Sequence, residues 1–237
     1  LKTLIFCTGY APSLKQWEAI HGRWINAVEN SELSVDKILI PDDGSPFLPS
    51  WAGVDVIDAV LPKEEPVTRG VICRHSSNLG RQSVYVYPGW HRSFILAAQY
   101  AQKYGYEKII HVEADAFIIS RQLINYINDF DQGWETFWCP RYQLPETAIQ
   151  VITGIGLQHL YSLIGVPYSQ FSGRPADPGY GQGASWLPYT TVNKHFHGDR
   201  WGETHQIPPK NADYACQIPV TMHCWWLDKI SVDTACK

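Results

Sequence analysis

The stretch Lys108-Ile109-Ile110-His111-Val112-Glu113-Ala114-Asp115-Ala116-Phe117-Ile118-Ile119 decides how the rest of the chain is read. A short apolar run delivers two carboxylates one residue apart, and a second apolar run follows. Alternation along an extended strand places Glu113 and Asp115 on the same side. Neighbouring acids repel each other and resist joint removal from water, so something must compensate them. Mg2+ and Mn2+ favour carboxylate oxygens and would do so. Solvent at a surface strand end would do so equally well. The pattern alone leaves both readings open.

Working outward, residues 90–104 have the spacing of a helix, with Phe94, Ala97, Ala98 and Ala101 inward and Gly105 ending it. An apolar strand that follows a helix belongs in the middle of a parallel sheet. Upstream, residues 3–7 and 35–40 read as strands on either side of a helix over 17–29, where Trp17, Ile20, Trp24, Ile25 and Val28 share a face. Pro41-Asp42-Asp43-Gly44-Ser45-Pro46 stops the second strand, and residues 54–61 form a third. This is the βαβ rhythm of a parallel α/β sheet. Downstream, 121–130 reads as a helix and 136–139 as a strand. Regularity then decays, and the Gly- and Pro-rich segment 169–189 reads as loop.

The bulk numbers fit this picture. The 237 residues suit one domain, and 45% hydrophobic with 18% charged residues is an ordinary globular composition. A net charge of −4 gives no basic surface for nucleic acid. No apolar run approaches the roughly 18–20 residues needed to span a bilayer, so no transmembrane segment is expected. Cys7, Cys73, Cys139, Cys216, Cys224 and Cys236 show no CxxC spacing, which excludes zinc-ribbon and thioredoxin readings. Free thiols and a reducing, cytoplasmic location are expected, compatible with a place at a membrane periphery. The ends at Leu1 and Lys237 are compatible with excision from a longer chain.

In open parallel sheets ligands sit beyond the carboxyl ends of the strands. That rule aligns Thr8-Gly9-Tyr10, Asp42-Asp43 and Glu113-Ala114-Asp115 along one crevice. An apolar strand ending in acid-x-Asp, fed by a helix with Arg92 in its first turn, resembles the GT-A class of nucleotide-sugar glycosyltransferases. The pattern is similar to that of small viral and bacterial enzymes that decorate surface glycans. The resemblance implies an α/β, Rossmann-like GT-A fold, a mixed, mostly parallel sheet flanked by helices, with a nucleotide-sugar-binding half over 1–120 and an acceptor-binding half over 121–237. It also implies Mn2+ or Mg2+ on Asp115, with Glu113 a further ligand or a partner of the donor ribose. The usual first acid is Asp, so Glu113 is a departure.

Two more segments carry the resemblance. Ile40-Pro41-Asp42-Asp43-Gly44-Ser45 resembles the Asp-Asp-Gly-Ser turn that meets the nucleobase or its ribose. His195-Phe196-His197-Gly198 resembles the His-aromatic-x-Gly segment of retaining galactosyltransferase-like enzymes. On that match His195 is a metal ligand with His197 its rival, Gly198 is a close backbone approach, and Arg200 is a phosphate contact. Arg92 and the loop residue Arg81 are further donor contacts, Arg92 also a catalytic candidate that adds with Arg200 to the stabilisation of the leaving diphosphate, and Tyr10 is placed to stack on the base.

The implied reaction moves a hexosyl or deoxyhexosyl group from a UDP- or GDP-sugar to a saccharide, glycoprotein or glycolipid. An inverting route needs a carboxylate base, with Glu146 ranked before Asp177 and Asp199; a retaining route needs none. Trp186 and Tyr189 are expected beside the acceptor. A sugar nucleotidyltransferase is the runner-up, although Thr8-Gly9-Tyr10-Ala11-Pro12 lacks the basic Gly-rich loop it uses. A non-catalytic glycan-binding module is the third reading, and it has no need of the acid pair.

Overall fold

Strand β1 (Thr3–Phe6) divides the molecule by its alternation. Ile5, with Cys7 beyond it, packs into one apolar core, while Leu4 and Phe6 pack into another on the opposite face. The computed structural model describes residues 1–47, 53–83, 86–170 and 187–228. Eight strands form one sheet in the order β3-β4-β2-β1-β5-β8-β7-β9. These are β2 (Lys37–Asp42), β3 (Val54–Asp58), β4 (Gly70–Arg74), β5 (Lys108–Val112), β7 (Gly133–Cys139), β8 (Leu144–Thr153) and β9 (Thr191–Asn193) around β1. Only β8 runs against the others, pairing antiparallel with both β5 and β7. The sheet is therefore mixed and mostly parallel, as expected.

Helices α1 (Leu14–Trp17), α2 (Arg23–Glu29) and α4 (Arg121–Asp129) cover the Ile5 face. Helices α3 (Pro88–Tyr104) and α5 (Ile155–Tyr161) cover the Leu4 face. Local chemistry sets their ends. Ser13 and Ser120 accept the backbone N–H of Gln16 and Leu123, which caps α1 and α4. Pro88 opens α3, and Gly105 closes it at φ 71°. A π-helical turn, Glu18–Gly22, joins α1 to α2.

Four expectations need correction. Strand β2 runs through Pro41 to Asp42, because the Pro41 carbonyl still accepts the Gly9 N–H at 2.9 Å and pairing survives the missing donor. Strand β4 had no counterpart in the sequence reading, and it separates β2 from β3. The ten-residue β8 and helix α5 occupy the region expected to lose regularity. Finally, β5 stops at Val112, so Glu113 and Asp115 do not alternate along a strand. They sit on a turn closed by Ala116 N–H to the Glu113 carbonyl at 2.9 Å.

That turn joins two sheets. Beyond it β6 (Phe117–Ile118) enters a small sheet of order β10-β11-β6, with β10 (Gly198–Asp199) and β11 (Tyr214–Ala215). A third apolar cluster of Phe117, Trp201, Ala212, Ala215, Ile218, Cys224 and Trp226 holds this sheet over the end of β5. Among the described residues, no helix is long and apolar enough to cross a membrane.

Candidate active site

The carboxyl ends of β2, β1, β5 and the start of β8 lie side by side because those strands neighbour one another in that order. Glu113 N–H donates to the Ala148 carbonyl at 2.8 Å, which brings the acid turn against β8 two residues from Glu146. A register shift between Thr136 and Phe137 in β7 lets Glu146 pair opposite Phe137, at this same edge. Thus Glu113, Asp115 and Glu146, drawn from two parts of the sequence, meet in one place.

The electrostatics reflect that crowding. Burial pushes the Glu113 carboxyl above the usual carboxylate range, Asp115 and Glu146 push it further, and Arg200 and the Trp90 indole pull it back. Burial raises Asp115 too, aided by Glu146 and opposed by Arg200 and Arg23. Asp115 Oδ1 is buried and has no hydrogen-bond partner among the described residues. A buried, unpartnered carboxylate oxygen in an acidic cluster fits a cation. Among the described residues, no three His, Cys, Asp or Glu side chains lie close enough to enclose a metal by themselves. Glu113 and Asp115 are the two carboxylates of the turn that such a cation would use.

Glu146 is fully buried and held by Arg200, with Nε to Oε2 at 2.6 Å and Nη2 to Oε1 at 3.1 Å. The Ala148 N–H also donates to Oε1, at 3.0 Å. Burial opposes the Arg200 charge, but Glu146 more than offsets this and keeps the guanidinium protonated. Arg200 Nη1 reaches Glu203 at 3.3 Å. Asp199 is similarly engaged. It accepts Arg200 N–H at 2.8 Å and lies 3.6 Å from Arg141. Asp177 and Trp186 lie outside the described residues, as does Cys236; the five described cysteines are free and buried.

At the β1–β2 end, Asp43 N–H donates to the Gly9 carbonyl at 2.7 Å, and Gly9 bridges Asp42. A Cβ on Gly9 would come within 2.7 Å of Ile40 Cγ2 and 3.2 Å of His21 Nε2. Thr8 is half-buried and Tyr10 is exposed at the crevice. Asp42 turns inward and accepts Ser45 N–H at 2.8 Å. Asp43 Oδ2 accepts Gly80 N–H at 2.8 Å, Asn78 Nδ2 at 2.8 Å and Leu79 N–H at 3.1 Å, while Oδ1 accepts Arg92. Arg92 also donates to the Ser77 carbonyl at 2.6 Å. Asp43 and Arg92 therefore hold the loop before α3. Arg81 is exposed, donates to the Ser83 carbonyl at 3.0 Å and lies over Tyr87.

The His195–Gly198 segment is not extended. It bends, burying Phe196 and leaving His195 and His197 exposed, with His197 against Trp201. A Cβ on Gly198 would overlap the Tyr214 ring, so Tyr214 alone requires glycine there. Tyr189 is half-buried against the second core. Three contributors carried no sequence signal. Arg23 donates to the Ile218 and Pro219 carbonyls at 2.8 and 3.2 Å. His21, brought to Gly9 by the π turn, is lowered to about 4 by burial. Glu203 is the third.

No family model matches the chain, and no curated protein matches it. Among solved structures, the chain is similar to a glycosyltransferase involved in the glycosylation of the major capsid of PBCV-1, with 10% identity, 100% coverage of each chain and a TM-score of 0.43. Similarity at that level assigns neither a family nor an activity.

Proposed function

We propose that the chain transfers a sugar from a nucleoside-diphosphate sugar, a UDP- or GDP-sugar, to a saccharide acceptor. The observation that carries the reading is the convergence of Glu113, Asp115 and Glu146 with Arg200 at the carboxyl edge of the sheet, with Asp115 Oδ1 buried and without a hydrogen-bond partner among the described residues. Asp115 and Glu113 would hold Mn2+ or Mg2+, their open positions going to the donor diphosphate and water. Such a cation supplies positive charge to the departing diphosphate. His195 and His197, both exposed, do not join the two acids as a third ligand among the described residues.

The chain's own groups do the rest. Arg200 keeps its charge beside the acids and adds a fixed cation where leaving-group charge grows. Glu146 holds that guanidinium in place, and with its oxygens engaged it serves as a positioning residue rather than a base. Tyr10 presents its ring to the nucleobase. Asp43 and Arg92 order the loop 77–80 that borders the donor.

The test is a screen of UDP- and GDP-sugars for nucleotide release with Mn2+, with and without simple saccharides. The reading expects Mn2+-dependent release of UDP or GDP, accelerated by an acceptor. Glycan binding with no donor consumed would point to the non-catalytic module. Pyrophosphate release from a nucleoside triphosphate and a sugar phosphate would point to the nucleotidyltransferase.

A further inference from the structure

Among the described residues, two aromatic side chains are exposed, Tyr10 at 43% and Tyr142 at 49%. They lie on opposite sides of the acid turn. Tyr10 follows β1, the acids follow β5, and Tyr142 sits at the tip of the β7–β8 hairpin, two strands further along the sheet. An exposed tyrosine on a hairpin is ordinarily free to swing. This one is fixed. Its hydroxyl donates to the Glu203 carboxylate, and its ring lies 5.7 Å from the Arg200 guanidinium. Arg141 of the same hairpin reaches Thr204 at 3.3 Å and Asp199 at 3.6 Å, tying the turn to the short helix at Trp201–Thr204.

Other aromatics nearby are less exposed. Trp138, on the same strand as the hairpin, is half-buried, with the Lys194 ammonium closer over its ring, at 4.0 Å. Tyr214 is buried, and its hydroxyl donates to the Trp138 carbonyl. Tyr142 is therefore a held, half-exposed aromatic surface with a carboxylate at its hydroxyl, the Arg200 guanidinium 5.7 Å over its ring and Arg141 beside it in the chain. That combination suits a pyranose ring, which has an apolar C–H face for an aromatic and equatorial hydroxyls for bidentate polar groups.

We propose that Tyr142, with Glu203 and Arg141 at its edge, forms a saccharide-binding subsite that receives the acceptor sugar. Its role as the acceptor site rests on the glycosyl-transfer reading, whereas its ability to bind sugar does not. Through Arg200 the subsite is one side chain away from Glu146 and the acid turn, so a sugar stacked on Tyr142 lies across the acids from a nucleotide at Tyr10. This places the acceptor at the β7–β8 hairpin instead of beside Tyr189.

The experiment is saturation-transfer NMR with the methyl glycosides of glucose, galactose, mannose and fucose, on wild type, Tyr142→Ala and Tyr142→Phe. UDP binding with Mn2+ is measured in parallel. At least one glycoside is expected to bind wild type, with saturation concentrated on the protons of one ring face. Tyr142→Ala should weaken it about five- to tenfold, while Tyr142→Phe, which keeps the ring, should stay within about threefold. Equal unfolding midpoints of the variants separate lost stacking from lost fold. If no glycoside binds wild type, or if Tyr142→Ala binds as well as wild type, the subsite is wrong. If sugar binding follows Tyr142 while no nucleotide binds, the subsite stands and the transfer reading fails.

Discussion

Glu146 and Arg200, 54 positions apart in sequence, meet in a two-point ion pair between strand β8 and the segment that follows β10. The pair joins the main sheet to the small sheet that caps the acid turn. It also sets the charge balance there, because Glu146 would otherwise be a third unpaired acid beside Glu113 and Asp115. Removing one partner of such a pair strands the other. Glu146→Ala is therefore expected to cost about 3 kcal/mol in urea unfolding, and the double substitution Glu146→Met with Arg200→Met to recover most of it. Equal losses in the single and double variants would argue against the pair as the fastener.

The acid turn should make the protein less stable as pH rises. Glu113 and Asp115 are raised by burial and by neighbouring acids, so the folded chain keeps protons that the unfolded chain has released. Stability contributed by these groups accordingly falls as pH climbs above the ordinary carboxylate range. At pH 7.5 Asp115→Asn should raise the thermal midpoint by about 2–4 °C. Added Mn2+ should raise the wild-type midpoint and leave the Asp115→Asn midpoint in place. Calorimetry of both proteins with and without the ion checks this.

Buried and half-buried histidines set the acid limb. Burial lowers His21, His75 and His91 to about 4, and His111 to about 3. A histidine whose folded value is depressed binds a proton more readily in the unfolded chain. Its contribution is complete above about pH 6.5 and is lost as pH falls towards 4. In the Asp115→Asn background, which removes one acid acting in the opposite sense, His21→Gln should flatten the acid slope of the thermal midpoint. An unchanged slope would show that His21 does not titrate on unfolding.

Asp43 is expected to act as a structural pin. Its carboxylate takes three donors from the 78–80 segment and one from Arg92, within a buried position. Asp43→Ala leaves two backbone N–H groups and a guanidinium short of partners, at a cost of about 2 kcal/mol. Hydrogen exchange at Leu79 and Gly80 should quicken before the rest of the sheet opens. Gly89→Ala should have a similar effect, since its Cβ would overlap the Asp43 carboxylate and lie 2.8 Å from the Gly80 nitrogen. Unaltered exchange in both variants would remove Asp43 from this role.

The central strand and its acids were legible in sequence because an apolar run between a helix and a polar stop can be little else than an inner strand. Strand β8 was not, because Leu144–Thr153 carries Pro145, Glu146 and Gln150, which interrupt any apolar pattern. Those polar groups are satisfied from far away. Trp134 Nε1 donates to Gln150 Oε1 at 2.7 Å, and Arg200 meets Glu146. Partners supplied by tertiary packing leave no local mark. For the same reason Asp43 and Arg92 read as separate candidate contacts, although the fold joins them. The extended reading of His195–Gly198 gave way because burying Phe196 against Tyr126 and Phe137 bends the chain and turns both histidines outward.

The most direct test is isothermal titration of UDP and GDP into wild type and Asp115→Ala, each with and without Mn2+. Metal-dependent binding of one nucleotide to wild type, lost in Asp115→Ala, is the expected result. Nucleotide binding that ignores Mn2+, or Mn2+-dependent binding that survives Asp115→Ala, would contradict the assignment of the acid turn as the cation site.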